Sequence, residues 1–358
     1  MKRIFVCGVG AVSPAGWRAG DLQDALDRQT VLPVQPLERP GWKTRLQVRP
    51  VPPPPTRPEF LSHPRLRRAS AITQYAVSAA LEATAGLRAL ENKTLRLGLV
   101  VCVQAGCVQY SCRFFGEVLK TPATASPLLF PETVYAAPAS HVATILENIT
   151  EVTTLVGDGA TFLQGLAVGA GWLEDERVDA CLVVGAEEPH WLLADALWHL
   201  DRTAVLTSGA GAICLCRSPE APARVELERI TQAHVYSRQI SRAQAARAMR
   251  CELVSHGPGE LLCDGLGGSP RADAAESAAW QDWNGPRLSV KRPFGEGLMA
   301  SAAWQCVAAC LAVARTRVPV ASVSLVGANQ QAIGGRFVWP TSGFPSLQEE
   351  PPASRIAW

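Results

Sequence analysis

Short, nearly unbroken apolar runs recur along this chain at residues 4–10, 95–103, 180–185, 210–216 and 261–263. Runs of this length, bounded by turn residues, predict strands buried on both faces. Residues 224–231 alternate and predict a further strand. Between the runs the period changes. Ile72, Tyr75, Ala76, Ala79 and Ala80 fall at helical spacing, which predicts a helix over 68–87. Residues 161–173 are rich in alanine and glycine and predict a slim helix packed all round; 241–252, 272–280 and 298–313 predict three more. Asp273 and Glu276 lie near the start of one of these, where the helix dipole favours carboxylates. Residues 320–326 and 333–339 flank a turn bearing glycine and asparagine, a hairpin signal. Strands alternating with helices predict an α/β fold with a parallel or mixed sheet covered on both faces, and two such sets in series predict two similar halves. Residues 33–64 are proline-rich, with Pro52 to Pro55 consecutive. They are expected to form a surface excursion or partner-facing loop without regular helix or central strand. The proline-containing tail, 349–358, is expected to be loose.

Composition narrows the class. The chain has 358 residues, 47% hydrophobic and 18% charged, which suits a large buried core and not a disordered chain. A net charge of +2 implies no strong field for nucleic acid or an anionic membrane. Arg65, Arg67 and Arg68 cluster, and a solvated helix start accounts for them better than a phosphate site. Cys102, Cys107 and Cys112 recur every five residues, a spacing that fits neither a disulfide framework nor a common zinc site. Most of the other cysteines sit in apolar runs and are expected to behave as small hydrophobes in a reduced cytoplasmic protein without metal. The start imitates a signal peptide, with Lys2 and Arg3 before an apolar run, but the run is short and glycine-broken and no clear cleavage site follows. A first buried strand explains it better. Residues 298–314 form the longest apolar stretch, yet Ser301 and Gln305 interrupt it and it falls short of a bilayer span.

Three segments carry the chemistry: Gly157-Asp158-Gly159-Ala160-Thr161, Asp264-Gly265-Leu266-Gly267-Gly268-Ser269-Pro270 and Lys291-Arg292-Pro293-Phe294-Gly295-Glu296. With the opening Val6-Cys7-Gly8-Val9-Gly10, the strand at 178–187 and the Asp273-Ala274-Ala275-Glu276 signature, they resemble motifs of the β-ketoacyl-acyl carrier protein synthases, the condensing enzymes of the thiolase fold. The resemblance runs in order over nearly the whole chain. It implies five αβαβα layers built from two pseudo-symmetric halves, residues 1–221 and 222–358, usually in a dimer. The family's motifs carry a cysteine nucleophile and two histidines. The matching positions here are Gly159, Gly265 and Glu296, with the lysine kept as Lys291. His256, in Ser255-His256-Gly257-Pro258-Gly259, superficially resembles the first histidine motif, but choosing it forces an insertion before Asp273. The ungapped match puts it in a turn. The family's longer loop with an arginine-proline-phenylalanine motif, which helps gate the acyl site, is cut here to residues 199–208.

Condensation passes through a covalent thioester, and decarboxylation needs neutral imidazoles at the developing oxyanion. Gly159 offers no nucleophile, Gly265 no donor, and an ionised Glu296 repels the charge. Loss of groups that act as a unit leaves essentially no such catalysis. Lys291 and Glu296 are expected to pair. Asp158 is read as a helix cap, against the alternative of paired carboxylates with Glu296 for hydrolysis. The resemblance then implies a non-catalytic subunit similar to the chain-length factors of type II polyketide synthases, with those of aryl polyene pathways nearest in size and degeneracy. Such a subunit would pair with an active β-ketoacyl synthase and meet acyl carrier protein through the complex. Segments 104–115 and 127–140 match the family's dimer interface and tunnel, which makes Phe114, Phe115, Phe130 and Leu325 candidate tunnel residues; ordinary core packing is the plain alternative for each. No cofactor, nucleic acid or membrane span is implied. Two other readings stay open: an enzyme with altered acyl chemistry using Asp158, Glu296 or a different cysteine, and an acyl-binding or regulatory homodimer.

Overall fold

The computed structural model describes residues 3–67, 69–87, 95–217, 225–253, 257, 259–315 and 317–340. Lys2, Arg68, Ser255, His256, Pro258, the boundary at 221/222 and the tail at 349–358, all singled out above, lie outside the described residues. The main sheet is built from β1 (Phe5–Val12), β2 (Leu97–Val103), β3 (Ile149–Val156), β4 (Ala180–Glu187), β5 (Gly209–Cys216), β6 (Glu226–Ile230), β7 (Leu261–Asp264), β8 (Arg287–Ser289), β9 (Val320–Val326) and β10 (Gln331–Val338). His234–Val235 adds a short strand beside β10.

The strand order shows the internal repeat. Outward from the centre, the first half runs β1-β5-β4-β2-β3 and the second β6-β10-β9-β7-β8, the same path with five added to each number. The directions repeat too. The first two pairings of each half are antiparallel and the last two parallel. The halves meet where Phe5 of β1 faces Glu226 of β6.

Nine helices of the described residues are used here: α1 (Ala19–Arg28), α2 (Ala71–Thr84), α3 (Val108–Lys120), α4 (Ala137–Leu146), α5 (Thr161–Glu174), α6 (Trp191–Leu200), α7 (Arg242–Glu252), α8 (Pro270–Ala279) and α9 (Met299–Ala314). Helix α2, with α4 against it, covers the outer face of the first half, and α7 with α8 covers that of the second. Helices α5 and α9 lie between the halves and touch strands of both. All 16 residues of α9 are buried. Small residues make the layers close. A Cβ on Gly8 would sit 2.0 Å from the Ala83 carbonyl oxygen, so glycine in β1 lets the backbone of α2 lie directly on the strand. The α/β layering matches the sequence expectation.

The proline-rich excursion differs from it. Gln35–Leu37 pairs with Leu46–Arg49, which pairs in parallel with Leu206–Thr207 to give a separate three-stranded sheet. The reason is alternation between the prolines: Leu46 and Val48 are buried against α6, while Gln47 points out. No helix of the described residues is long and apolar enough to cross a membrane.

Candidate functional site

Gly159, Gly265, Lys291, Glu296 and Leu325 line one cavity of about 420 Å³. The first corner is the turn from β3 into α5. The Thr161 N–H donates to the Asp158 carbonyl at 2.9 Å, which opens the helix. A Cβ on Gly159 would meet the Leu298 carbonyl oxygen at 3.3 Å and the Ala302 Cβ at 3.5 Å, so a small side chain needs little movement there. Asp158 is buried, and its carboxylate accepts N–H groups from Ala160 at 3.2 Å, Gln330 at 2.9 Å and Asn329 at 3.3 Å. It faces the β9–β10 turn and does not line the cavity. The paired-carboxylate alternative with Glu296 therefore lacks a free first member. Asp158 instead staples the start of α5 to the opposite half.

The second corner follows β7. The Gly265 N–H donates to both carboxylate oxygens of Glu276, at 3.1 and 3.2 Å. A Cβ on Gly265 would lie 3.0 Å from Glu276 Oε2. Burial, followed by the nearby Asp264, pushes the Glu276 carboxyl up to about 7. The Asp273 carboxylate accepts the N–H groups of Gly267 and Gly268 at 3.1 and 2.7 Å and fixes the glycine turn.

At the third corner Lys291 Nζ donates to Glu296 Oε2 at 2.7 Å, and the Leu298 N–H donates to Glu296 Oε1 at 2.8 Å. Burial alone would lower Lys291, but the Glu296 carboxylate more than offsets it and holds the ammonium above its ordinary value. Leu298, just before α9, has φ +53° and ψ −118°, a strained conformation for a residue with a side chain. No cysteine or histidine is among the described residues lining the cavity. Three buried thiols elsewhere are poor nucleophiles: burial pushes Cys107 up to about 12, and raises Cys102 and Cys263 as well.

Phe114, Phe115 and Phe130 do not line this cavity. The rings of Phe114 and Phe130 lie 5.6 Å apart, tilted by 56°, and Phe115 and Phe130 are 61% and 56% exposed. They sit on the surface rather than in the core. The turn at Phe130–Glu132 is tied to α4 by Glu132 and His141 at 3.0 Å, and α4 packs on β3. Strand β3 ends the main sheet, with Val152 and Val156 exposed. Sequence reasoning missed Arg49, Arg242 and Gln305, which also line the cavity. Arg49 arrives through the small sheet, whose pairing to Leu206–Thr207 is non-local and leaves no local signal.

Solved structures share this architecture. The chain matches the ishigamide ketosynthase/chain length factor with a TM-score of 0.80 at 18% identity, over 95% of this chain and 99% of that one. It matches a β-ketoacyl synthase from Burkholderia phymatum STM815 with a TM-score of 0.80 at 17% identity, over 95% of this chain and 100% of that one. A ketosynthase in complex with its chain length factor from Xenorhabdus doucetiae gives a TM-score of 0.74 at 15% identity, over 95% and 98%. No family model matches the sequence, and neither does any curated protein. The fold is thus the thiolase-like fold of ketosynthases and chain length factors.

Proposed function

We propose that this chain is a ketosynthase-like subunit without condensing activity of its own, a chain-length factor that pairs with an intact β-ketoacyl synthase. The observation that carries the reading is the cavity: the corners that would hold thiol and imidazoles are built, yet they present Gly159, Gly265 and a Glu296 neutralised by Lys291. The surface supports the pairing. An edge strand with exposed Val152 and Val156, together with exposed Phe115, Leu119, Leu128 and Phe130, is an aggregation hazard for a lone subunit and an interface for a paired one. In the paired state β3 continues the partner's sheet, and Phe114, Phe115 and Phe130 close the end of the partner's acyl tunnel. The pathway we infer is a cytoplasmic type II polyketide route of the aryl polyene kind, with acyl carrier protein reaching the complex through the synthase.

The test is co-expression with candidate synthases, pull-down, and product analysis. The expected result is a stable heterodimer that condenses, with Phe114→Ala lengthening the product while condensation continues. Unchanged products and rates from the synthase when this chain is absent would refute the reading, as would a stable acyl adduct on this chain.

A further inference from the structure

Helix α3 stands apart from the body. None of its 13 residues is buried, and it packs mainly on the turns Pro122–Thr124 and Phe130–Glu132 that follow it. Those turns make it one piece: Glu117 accepts the Ser126 N–H at 3.0 Å, and the Ser111 hydroxyl donates to the Thr133 carbonyl at 3.4 Å. The piece joins the body at two places. At one, Glu132 is tied to His141 of α4 at 3.0 Å, which makes a pivot. At the other, residues 104–107, Gly106 has φ +67° and lies under the Tyr135 ring, which a Cβ there would meet at 2.7 Å. Two buried carboxylates at the end of β4 hold this second root. Glu187 accepts the N–H groups of Gln104 at 2.5 Å and Ala105 at 3.3 Å. Glu188 accepts that of Gln109 at 2.7 Å and, from the start of α2, that of Ile72 at 3.4 Å.

We propose that residues 108–136 form a hinged arm that turns on residues 104–107, and that Glu187 and Glu188 are the charge-sensitive catch that holds it closed. Neither carboxylate meets a cation among the described residues. Glu187 and Glu188 face each other, and Cys107 and the Tyr75 hydroxyl of α2 face Glu188. His190, two residues on, turns its ring to the Leu192 N–H at 3.3 Å, and Glu132 is held by His141. Two adjacent anions buried without a cation are costly, whereas a neutral acid still accepts an N–H. Burial pushes Glu187 up to about 8 and Glu188 up to about 7, above the ordinary carboxylate value that an opened root restores. The closed arm therefore holds its protons, and the catch loosens as pH rises through about 7 to 8. Gln104 also lines the cavity, so a turn of the arm moves part of the cavity wall. The catch lies within one chain and does not rest on the pairing proposed above.

Cys107, the last residue of the root, is 2% exposed and reports its opening, while Cys251 is exposed and serves as the reference. The full chain is alkylated with N-ethylmaleimide and each cysteine is read by peptide mass spectrometry. From pH 6.5 to 8.5, labelling of Cys107 relative to Cys251 should rise at least about tenfold, because two protons leave the catch. The double variant Glu187→Gln, Glu188→Gln keeps the acceptors without the charges and should lose that rise. Amide exchange at pH 8.5 separates turning from unfolding: residues 104–109 should lose protection while 112–120 keep theirs. The wild-type series decides the matter even if the variant folds poorly. A constant ratio of Cys107 to Cys251 across this range overturns the proposal, and so does the full rise persisting in the double variant. Loss of protection throughout 104–120, or Cys107 labelling in step with the core thiols Cys102 and Cys263, overturns it as well, since the helix or the whole chain would then be unfolding.

Discussion

The two halves share one strand path and one order of pairings, yet their corners of the cavity are built differently. In the first half, Gly159 leaves a space that a Cβ enters with little adjustment. In the second, the corners are filled: Glu276 closes on the Gly265 N–H, and Glu296 is locked to Lys291 and the Leu298 N–H. One corner is open and the others are filled. A Cβ at Gly159 meets only the Leu298 carbonyl and Ala302, whereas one at Gly265 meets a hydrogen-bonded carboxylate.

The largest expected effect concerns pH. Burial pushes Glu82 to about 7, Glu187 to about 8 and Glu188 to about 7 in the first half, and Glu276 to about 7 in the second. Each folded value lies above the ordinary carboxylate value, so the folded state binds these protons more tightly than the unfolded state. These four groups favour the folded state most below the ordinary carboxylate value, and their contribution is lost as pH rises from there through about 7 to 8. Urea midpoints at pH 5.5 and 8.5 check this, and a higher midpoint at pH 8.5 contradicts it. Glu187→Gln should flatten the profile more than Glu276→Gln.

Next is the staple between the halves. Asp158→Ala leaves the amides of Ala160, Asn329 and Gln330 without their acceptor and should cost about 2–4 kcal/mol by denaturant unfolding. A loss below about 0.5 kcal/mol would mean that water replaces the carboxylate. The smallest effects are the direct contrast between corners. Gly265→Ala should cost about 1–2 kcal/mol because Glu276 must retreat, whereas Gly159→Ala should stay within about 0.5 kcal/mol of the wild type. Equal costs would erase the distinction between an open corner and a filled one.

Much of the fold was legible because its strands are buried on both faces. All seven residues of Leu97–Val103 and all eight of Ala180–Glu187 are buried, and such strands announce themselves as apolar runs. The resemblance in the order and spacing of the three motifs anticipated that Gly159, Gly265 and Glu296 would share a cavity, and implied the Lys291–Glu296 pair in place of a lysine–histidine pair. Two kinds of feature were not legible. Leu46–Arg49 hid among prolines because its pairing partner lies far along the chain at Leu206–Thr207. Phe115 and Phe130 gave no clue to their exposure, since an exposed aromatic residue looks the same in sequence as a buried one.

Helix α9 also fixes the timing of synthesis. It is wrapped by β1, β4 and β5 of the first half and by β7, β9 and β10 of the second, but it is translated after all but the last two of those strands. A nascent chain that has delivered every strand of the first half carries α5 but still lacks α9, the other helix of the layer that covers their inner face. That face stays partly uncovered until residue 314 has left the ribosome, so the first half does not mature as an early, independent unit. Released fragments ending at residue 217 should aggregate or bind chaperones, and the chain should reach its native state only near the end of translation.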